Sequence, residues 1–265
     1  MDRTESISMN HPPLLKIENL HFAIGRQPIL RDICAGFAAG GIHGIIGPNG
    51  SGKSTLLKNL CRIWQPQTGR VLIDGQDYQR IGRKALSRLV TLVQQDTRVD
   101  FSISVTDFIA MGRHPHLQRL QGLRQRDLDI VEDALQLTET VELRDRWVNE
   151  LSGGEGQLVN IARALATEAP LILLDEPTSA LDIRHKLDIM KLLTALRNGG
   201  KTILISIHDL ELARRYCDTI TMLDQGGVYF HGPTLEAFAQ ERIKEVFHVD
   251  VEEMPSDRGV SLLFY

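Results

Sequence analysis

Residues 47–55 have the types and the spacing of a loop that binds phosphate. They read Gly-Pro-Asn-Gly-Ser-Gly-Lys-Ser-Thr, which fits the pattern G-x-x-x-x-G-K-[ST], and they lie between an apolar run, 42–46, and a helix-like run, 55–61. Glycines let successive backbone N–H groups turn towards one anion, and the start of a helix adds partial positive charge. Lys53 would supply charge for the β- and γ-phosphates, and Ser54 a hydroxyl for Mg²⁺. The pattern therefore predicts a nucleotide site formed by Gly47, Pro48, Asn49, Gly50, Ser51, Gly52, Lys53, Ser54 and Thr55.

A second apolar run, residues 171–174, ends in two adjacent carboxylates, Asp175 and Glu176. Ligands of parallel sheets lie at the carboxyl ends of the strands, so Asp175 is placed to hold Mg²⁺ directly or through water. Glu176 is the next residue and points elsewhere, where it could polarise an attacking water. The alternative is a strand end that merely carries two solvated acidic residues, which would show the same sequence pattern. It is the phosphate-binding loop upstream that makes the pair part of one Mg²⁺–nucleotide site.

A third segment, Ser152-Gly153-Gly154, precedes an amphipathic run and has the composition of a second anion site at a helix start. One ATP molecule needs only one phosphate-binding loop. The economical explanation is that this segment serves the ATP of another copy of the chain in a head-to-tail dimer.

The segments around these residues alternate between strand and helix patterns. Runs that are apolar on both faces, such as 171–174 and 202–207, are typical of central parallel strands covered by helices. Helical spacing is seen in two triplets, Leu128, Val131 and Leu135, and Leu158, Ile161 and Leu165. We therefore predict an α/β fold with a helical subdomain inserted at 97–167. Further strands are expected at 14–22, 42–46, 71–74, 89–94 and 219–223, and two short helices with a loose end after Gly232.

The composition of the 265 residues is that of a globular chain, with 42% hydrophobic and 24% charged residues. The formal net charge of −4 argues against nucleic acid as the main partner. No run approaches the ~18 apolar residues of a membrane-spanning helix, and the polar residues 1–10 lack the apolar region of a signal peptide. Three widely spaced cysteines without a Cys-x-x-Cys pair indicate a reducing compartment. We expect a chain that is neither secreted nor membrane-spanning.

In order and spacing, these motifs resemble those of the ATP-binding cassette (ABC) ATPases over residues 14–250. Residues 151–155, Leu-Ser-Gly-Gly-Glu, are similar to the family signature, which usually ends in Gln. Gln94 resembles the Q-loop glutamine, Asp182 in Ser-Ala-Leu-Asp the D-loop aspartate, and His208 the switch histidine. The resemblance implies a P-loop NTPase core with an antiparallel β subdomain and the inserted helical subdomain. This ABC domain would occupy 13–250, between a polar tail at 1–12 and a C-terminal tail at 251–265.

The resemblance also implies a mechanism with ATP and Mg²⁺. Two copies enclose two ATP molecules, each lying between residues 47–55 of one copy and Ser152, Gly153 and Gly154 of the other. By the same resemblance, Asp182 would be among the residues that bind ATP. Glu176 would orient or activate water, His208 would contact the γ-phosphate, and Gln94 would sense Mg²⁺ and relay closure to the helical subdomain.

Two positions depart from the family pattern or leave its assignment open. Glu155 replaces the usual glutamine, whereas the expected phosphate contacts Ser152 and Gly154 are intact. Phe22 is the candidate for stacking on adenine. Ile24 could take that place instead, and Phe22 could be a plain core residue of its strand.

Within the family, the chain resembles the ATP-binding subunits of iron-chelate importers, which handle ferric siderophores, haem or the related cobalamin. The similar segments are Met-Gly-Arg-His-Pro at 111–115 and Arg-Tyr-Cys-Asp at 215–218; molybdate and other metal importers share much of this pattern. This resemblance implies a peripheral motor on the cytoplasmic face of the membrane. Its partners would be a second copy, transmembrane permease subunits docking at 96–115 and, indirectly, a periplasmic or extracellular solute-binding protein. The alternative is a soluble ABC ATPase that serves a scaffold, for example in iron–sulfur assembly.

Overall fold

The computed structural model of the chain describes residues 14–95, 102–256 and 259–265. Its strands are β1 (Leu15–Ile24), β2 (Gln27–Phe37), β3 (Ile42–Ile46), β4 (Thr68–Ile73), β5 (Gln76–Asp77), β6 (Val90–Val93), β7 (Leu171–Asp175), β8 (Thr202–Ser206), β9 (Thr219–Asp224), β10 (Gly227–Pro233), β11 (Val251–Ser256) and β12 (Gly259–Phe264). Its α-helices are α1 (Lys53–Leu60), α2 (Arg83–Leu86), α3 (Val105–Ala110), α4 (Gln125–Leu137), α5 (Gly153–Leu165), α6 (Ile183–Asn198), α7 (Leu210–Tyr216), α8 (Thr234–Ala237) and α9 (Gln240–Phe247).

A six-stranded sheet in the order β10-β9-β3-β8-β7-β6 forms the centre of the molecule. All its neighbouring strands run parallel except β10, which is antiparallel to β9. Every residue of β3, β7 and β8 is buried, because both faces of the sheet are covered, and this explains their predominantly apolar sequences. Parallel pairing brings the carboxyl ends of β3, β7 and β8 to one edge of the sheet, as the α/β prediction requires.

A second sheet, in the order β2-β1-β4-β5, is antiparallel throughout. Its apolar residues pack with Leu56, Leu57 and Leu60 of α1 and with residues of the central sheet in one core. A second core gathers apolar side chains of α3, α4, α5, α6 and the central sheet. The central sheet therefore lies between two apolar layers, and α1 is fixed by one of them.

The helices α3, α4 and α5 follow one another between β6 and β7, in the segment where a helical subdomain was predicted. The first part of that segment, 96–101, lies outside the described residues. Val131 and Leu135 of α4 are buried as the helical spacing predicts, but Leu128 is half-exposed. No helix of the described residues has both the length and the apolar character that crossing a bilayer requires.

The chain after Gly232 differs from its prediction at the C-terminal end. The two short helices are present as α8 and α9, but the loose end is wrong, because β11 and β12 pair as an antiparallel hairpin. The backbone N–H of Leu262 donates a 3.0 Å hydrogen bond to Oε2 of Glu211 in α7. This bond and the burial of Val251 attach the hairpin to the domain.

Candidate active site

The loop of residues 47–52 joins β3 to α1 and passes close to two other strands. Gly47 has φ +152°, and a Cβ atom there would lie 2.2 Å from the carbonyl oxygen of Leu223 in β9. Gly52 has φ +103°, and its Cβ atom would lie 2.7 Å from Cδ2 of Leu30 in β2. Only glycine fits either position. Helix α1 starts immediately afterwards, so the free N–H groups of its first turn lie beside the loop.

Lys53 is almost fully buried within this loop, and Nζ donates hydrogen bonds to the carbonyl oxygens of Gly47 (2.9 Å) and Pro48 (3.1 Å). Burial lowers the pKa of Lys53, against the opposing effects of the Glu176 and Asp175 carboxylates. Oγ of Ser51 is buried and has no hydrogen-bond partner among the described residues. A buried ammonium and an unpaired buried hydroxyl in a glycine loop fit a phosphate chain, which would supply acceptors to both.

Asp175, at the end of β7, is buried and receives two hydroxyl hydrogen bonds. Oγ of Ser54 in α1 donates to Oδ1 at 2.9 Å, and Oγ of Ser206 in β8 donates to the same oxygen at 2.8 Å. Asp175 and Ser206 are register partners on adjacent strands, which explains the second bond. The Ser54 hydroxyl and the Asp175 carboxylate thus lie together, and such oxygen donors suit a hard cation such as Mg²⁺.

Glu176 leaves β7 in the left-handed region, with φ +50°. Its backbone N–H donates to Oγ of Ser206 at 2.9 Å, which holds the residue against β8. The imidazole Nε2 of His208 hydrogen-bonds to Oε1, and Nε2 of Gln95 donates to Oε2 at 2.9 Å. The structure therefore brings the predicted pair, Glu176 and His208, into direct contact.

The side chain that reaches Glu176 from the end of β6 is Gln95, which the sequence analysis did not select. Its amide also donates to Oγ of Ser179 at 3.3 Å. Gln94 is exposed at the position directly after β6. Adjacent side chains at a strand end project to different sides. The position of Gln95 next to Gln94 was therefore the signal that could have identified it as a second candidate.

Phe22 lies in β1 as the register partner of Leu30 in β2, and it packs against the core that contains Leu30 and the leucines of α1. The ring stacks on the indole of Trp64, with centroids 5.3 Å apart and an interplanar angle of 5°. Nζ of Lys58 lies 4.8 Å from the centroid of the Trp64 ring. Trp64 was not anticipated from the sequence, because it follows the far end of α1.

Ser152 is the N-cap of α5 and forms a capping box with Glu155. Oγ of Ser152 accepts the N–H of Glu155 at 3.4 Å, and Oε2 of Glu155 accepts the N–H of Ser152 at 2.8 Å. Hydrogen bonding of the Glu155 carboxyl group to the Ser152 side chain and to the Ser152 backbone N–H, and after them the charge of Arg146, lower the pKa of Glu155. A charged acceptor is well suited to the N3 position of a helix, so the replacement of the usual glutamine has a structural reason.

Gly153 and Gly154 lie in the first turn of α5, beside the start of α6. Gly153 is exposed, whereas Gly154 is buried. Asp182 is the N-cap of α6, and its Oδ1 accepts the backbone N–H of His185 at 2.9 Å. In the structure Asp182 therefore caps α6. The resemblance to ABC ATPases separately implies that it is the D-loop aspartate.

Comparison with known proteins identifies the family. A family model described as ABC transporter matches residues 30–179. The chain is 36% identical over 238 residues to the cobalamin import ATP-binding protein of Halobacterium salinarum; this covers 89% of the chain but only 59% of that relative's length. It is also 36% identical over 245 residues to the iron(3+)-hydroxamate import ATP-binding protein of Bacillus subtilis, covering 92% of the chain and 91% of the relative.

Among solved structures, a metal-chelate type ABC transporter in an inward-facing conformation matches with a TM-score of 0.83 and 28% identity, covering 95% of this chain and 96% of that one. The predicted fold class is thereby confirmed. The family model covers more than half of the chain, and the chain therefore belongs to the ABC transporter family.

Proposed function

We propose that the chain is the motor subunit of a membrane importer for ferric siderophores or related metal chelates. It would act as a homodimer on a separate permease, at the cytoplasmic face of the membrane. The observation that carries the hydrolytic part is the meeting of β3, β7 and β8 at one edge, where Lys53, Asp175, Glu176 and His208 face one site.

Hydrolysis at this site is an in-line attack of water on the γ-phosphorus of ATP, which breaks the bond to the β-phosphate oxygen and yields ADP and phosphate. Glu176 orients the water and accepts its proton, because both carboxylate oxygens are held in fixed directions. Lys53 binds the phosphates through its charge, and His208 contacts the γ-phosphate. Mg²⁺, held by Ser54 and Asp175 and sensed by Gln94, would supply positive charge to the phosphate oxygens.

A cavity of about 260 Å³ beside residues 111–115 supports the proposal of a permease partner. It is lined by Met111, which is half-exposed, and by His114, Pro115 and Arg163. The adjacent Arg113 is buried and fixed by several acceptors, so the rim of the cavity has a defined shape. A permease loop would dock here. The part of the expected docking segment at 96–101 lies outside the described residues.

The cargo class rests on the similarity of residues 111–115 and 215–218 to iron-chelate importers. Identity to the cobalamin and iron-hydroxamate relatives is the same, 36%, so overall identity does not separate the two cargoes. We propose a ferric siderophore, delivered to the permease by an external solute-binding protein.

Uptake by cells that carry Glu176→Gln in place of the native chain tests this function. Labelled ferric siderophore, haem, cobalamin and molybdate are supplied in parallel. The matched control is Glu142→Gln, which makes the same chemical change at an exposed residue. Loss of siderophore uptake alone is the expected result. Loss of uptake of one of the other compounds would identify that compound as the cargo instead of the siderophore. Unchanged uptake of all four compounds would contradict the importer function.

A further inference from the structure

His185, in the first turn of α6, lies directly against the signature segment at the start of α5. A Cβ atom placed on Gly154 would lie 2.4 Å from Cδ2, 2.6 Å from Cγ and 2.8 Å from Nε2 of the His185 ring. Gly154 lies within α5 and has no left-handed φ, so its backbone does not require glycine. The ring of His185 is therefore what a side chain at this position would meet.

The ring is held in place by its own helix. Oδ1 of Asp182, the N-cap of α6, accepts hydrogen bonds from the backbone N–H and from Nδ1 of His185, both at 2.9 Å. Leu181 lies nearby, since its Cδ2 would be 3.8 Å from a Cβ atom placed on Gly153. The D-loop segment thus lies beside both signature glycines of the same chain.

The other end of this D-loop segment lies at the hydrolytic carboxylate. Glu176 and Ser179 both accept hydrogen bonds from the Gln95 amide, at 2.9 and 3.3 Å. A few residues later the chain reaches Asp182 and His185. One short segment therefore contacts the chain's own hydrolytic carboxylate and the glycines that, in the proposed dimer, serve the other copy's ATP.

We propose that His185 is a positioning residue for the dimeric ATP site. Through its contact with Gly154, it holds residues 152–154 where they meet the ATP of the second copy, and it links that position to the D-loop of its own chain. His185 acts through Gly154 rather than by contacting ATP. The inference rests on the head-to-tail dimer of the proposed function.

ATP-dependent dimerisation of the full chain, measured by sedimentation in the Glu176→Gln background, tests the role. His185→Ala should raise the protein concentration for half-dimerisation about tenfold, the effect of losing roughly 1.4 kcal/mol. His185→Phe keeps a flat ring against Gly154 and should restore most of the dimerisation. The control Lys191→Ala, an exposed position further along α6, should have no effect. Binding of a fluorescent ATP analogue to the monomer should be equal in all variants, which separates this role from damage to the phosphate-binding loop.

The outcomes distinguish the two proposals. A Glu176→Gln parent that stays monomeric at saturating ATP overturns the dimer and, with it, the role of His185. A parent that dimerises, together with a His185→Ala variant that dimerises equally well, overturns the role of His185 alone.

A second measurement examines the contact without the dimer. Gly154→Ala should lower the melting temperature of the monomer, because the added methyl group meets the His185 ring. The same substitution in a His185→Ala chain should lower it clearly less. Equal losses in both backgrounds would contradict the contact on which the proposal is built.

Discussion

The imidazole of His208 hydrogen-bonds to Oε1 of Glu176, so the ends of β8 and β7 meet at one carboxylate. The second oxygen of that carboxylate is held by Gln95. Hydrogen bonds to both oxygens restrict the direction of the carboxylate, which is what a group that orients water needs.

We expect Glu176→Gln to bind ATP with unchanged affinity but to hydrolyse it at least about 100-fold more slowly, since a positioned general base contributes roughly 10²–10⁴-fold. The amide keeps the shape of the side chain and can still pair with its neighbours, but it cannot accept the proton of water. Phosphate release and binding of a fluorescent ATP analogue measure the two effects separately. Hydrolysis at the wild-type rate would remove Glu176 from its assigned role.

Lys53→Ala should weaken ATP binding by on the order of 100-fold, because charge-assisted hydrogen bonds of a buried ammonium contribute roughly 1.5–3 kcal/mol. The control is Lys191→Ala, which removes an exposed ammonium from α6. Because burial lowers the pKa of Lys53, the wild-type affinity should be complete at neutral pH and fall as pH rises through that lowered value, below the ordinary 10.5. Wild-type affinity of the Lys53→Ala chain would contradict the phosphate site.

The predictable part of the site is local in sequence. Residues 47–55, Asp175, Glu176 and His208 each follow a buried strand, and parallel pairing alone brings such strand ends to one edge. Gln95 and Trp64 were missed because their partners are distant in sequence, and only the packed sheets bring them together.

The fold shows the same division. The apolar strands β3, β7 and β8 were predicted, whereas β2 was not, since Arg31 and Asp32 interrupt its apolar pattern and Asp32 has φ +51°. The hairpin of β11 and β12 was missed because part of its support is the bond from Leu262 to Glu211, a long-range contact without a local signal. Whether such segments form strands depends on the burial of one strand face by elements that are distant in sequence.

Trp64→Ala should weaken the binding of ATP about three- to tenfold, if Phe22 receives the adenine ring, because aromatic stacking contributes roughly 0.5–1.5 kcal/mol. The indole stacks on one face of the Phe22 ring and so holds the orientation of the ring. Inorganic tripolyphosphate, which has no base, should bind both chains equally well. The exposed Trp147→Ala serves as the control. Equal losses for ATP and tripolyphosphate would indicate a general disturbance of α1 instead of a base contact.

Arg113→Ala should destabilise the fold by about 3–5 kcal/mol, since it leaves buried acceptors without their cation. The guanidinium is 2% exposed and donates to Asp127 (3.0 Å), to the carbonyl of Ala166 (2.7 Å) and to Glu168 (2.8 Å). Urea unfolding measures the loss. Arg126→Ala, which removes a guanidinium that is 82% exposed, should change stability by no more than about 1 kcal/mol. Similar losses for both variants would mean that burial does not set the strength of this ion pair.

The partner of Arg113 also predicts a dependence of stability on pH. The backbone N–H of Arg124 and, after it, the Arg113 guanidinium lower the pKa of Asp127 below its ordinary value of 3.8. A carboxyl group with a lowered folded-state pKa stabilises the fold above its unfolded value, and this stability is lost as pH falls through the lowered one. Asp127→Asn should therefore reduce the loss of stability on acidification below about pH 4. Arg113→Ala should reduce it less, because the hydrogen bond from Arg124 remains. Unfolding curves at several acidic pH values decide this, and an identical acid dependence in the wild type and Asp127→Asn would show that Asp127 does not contribute.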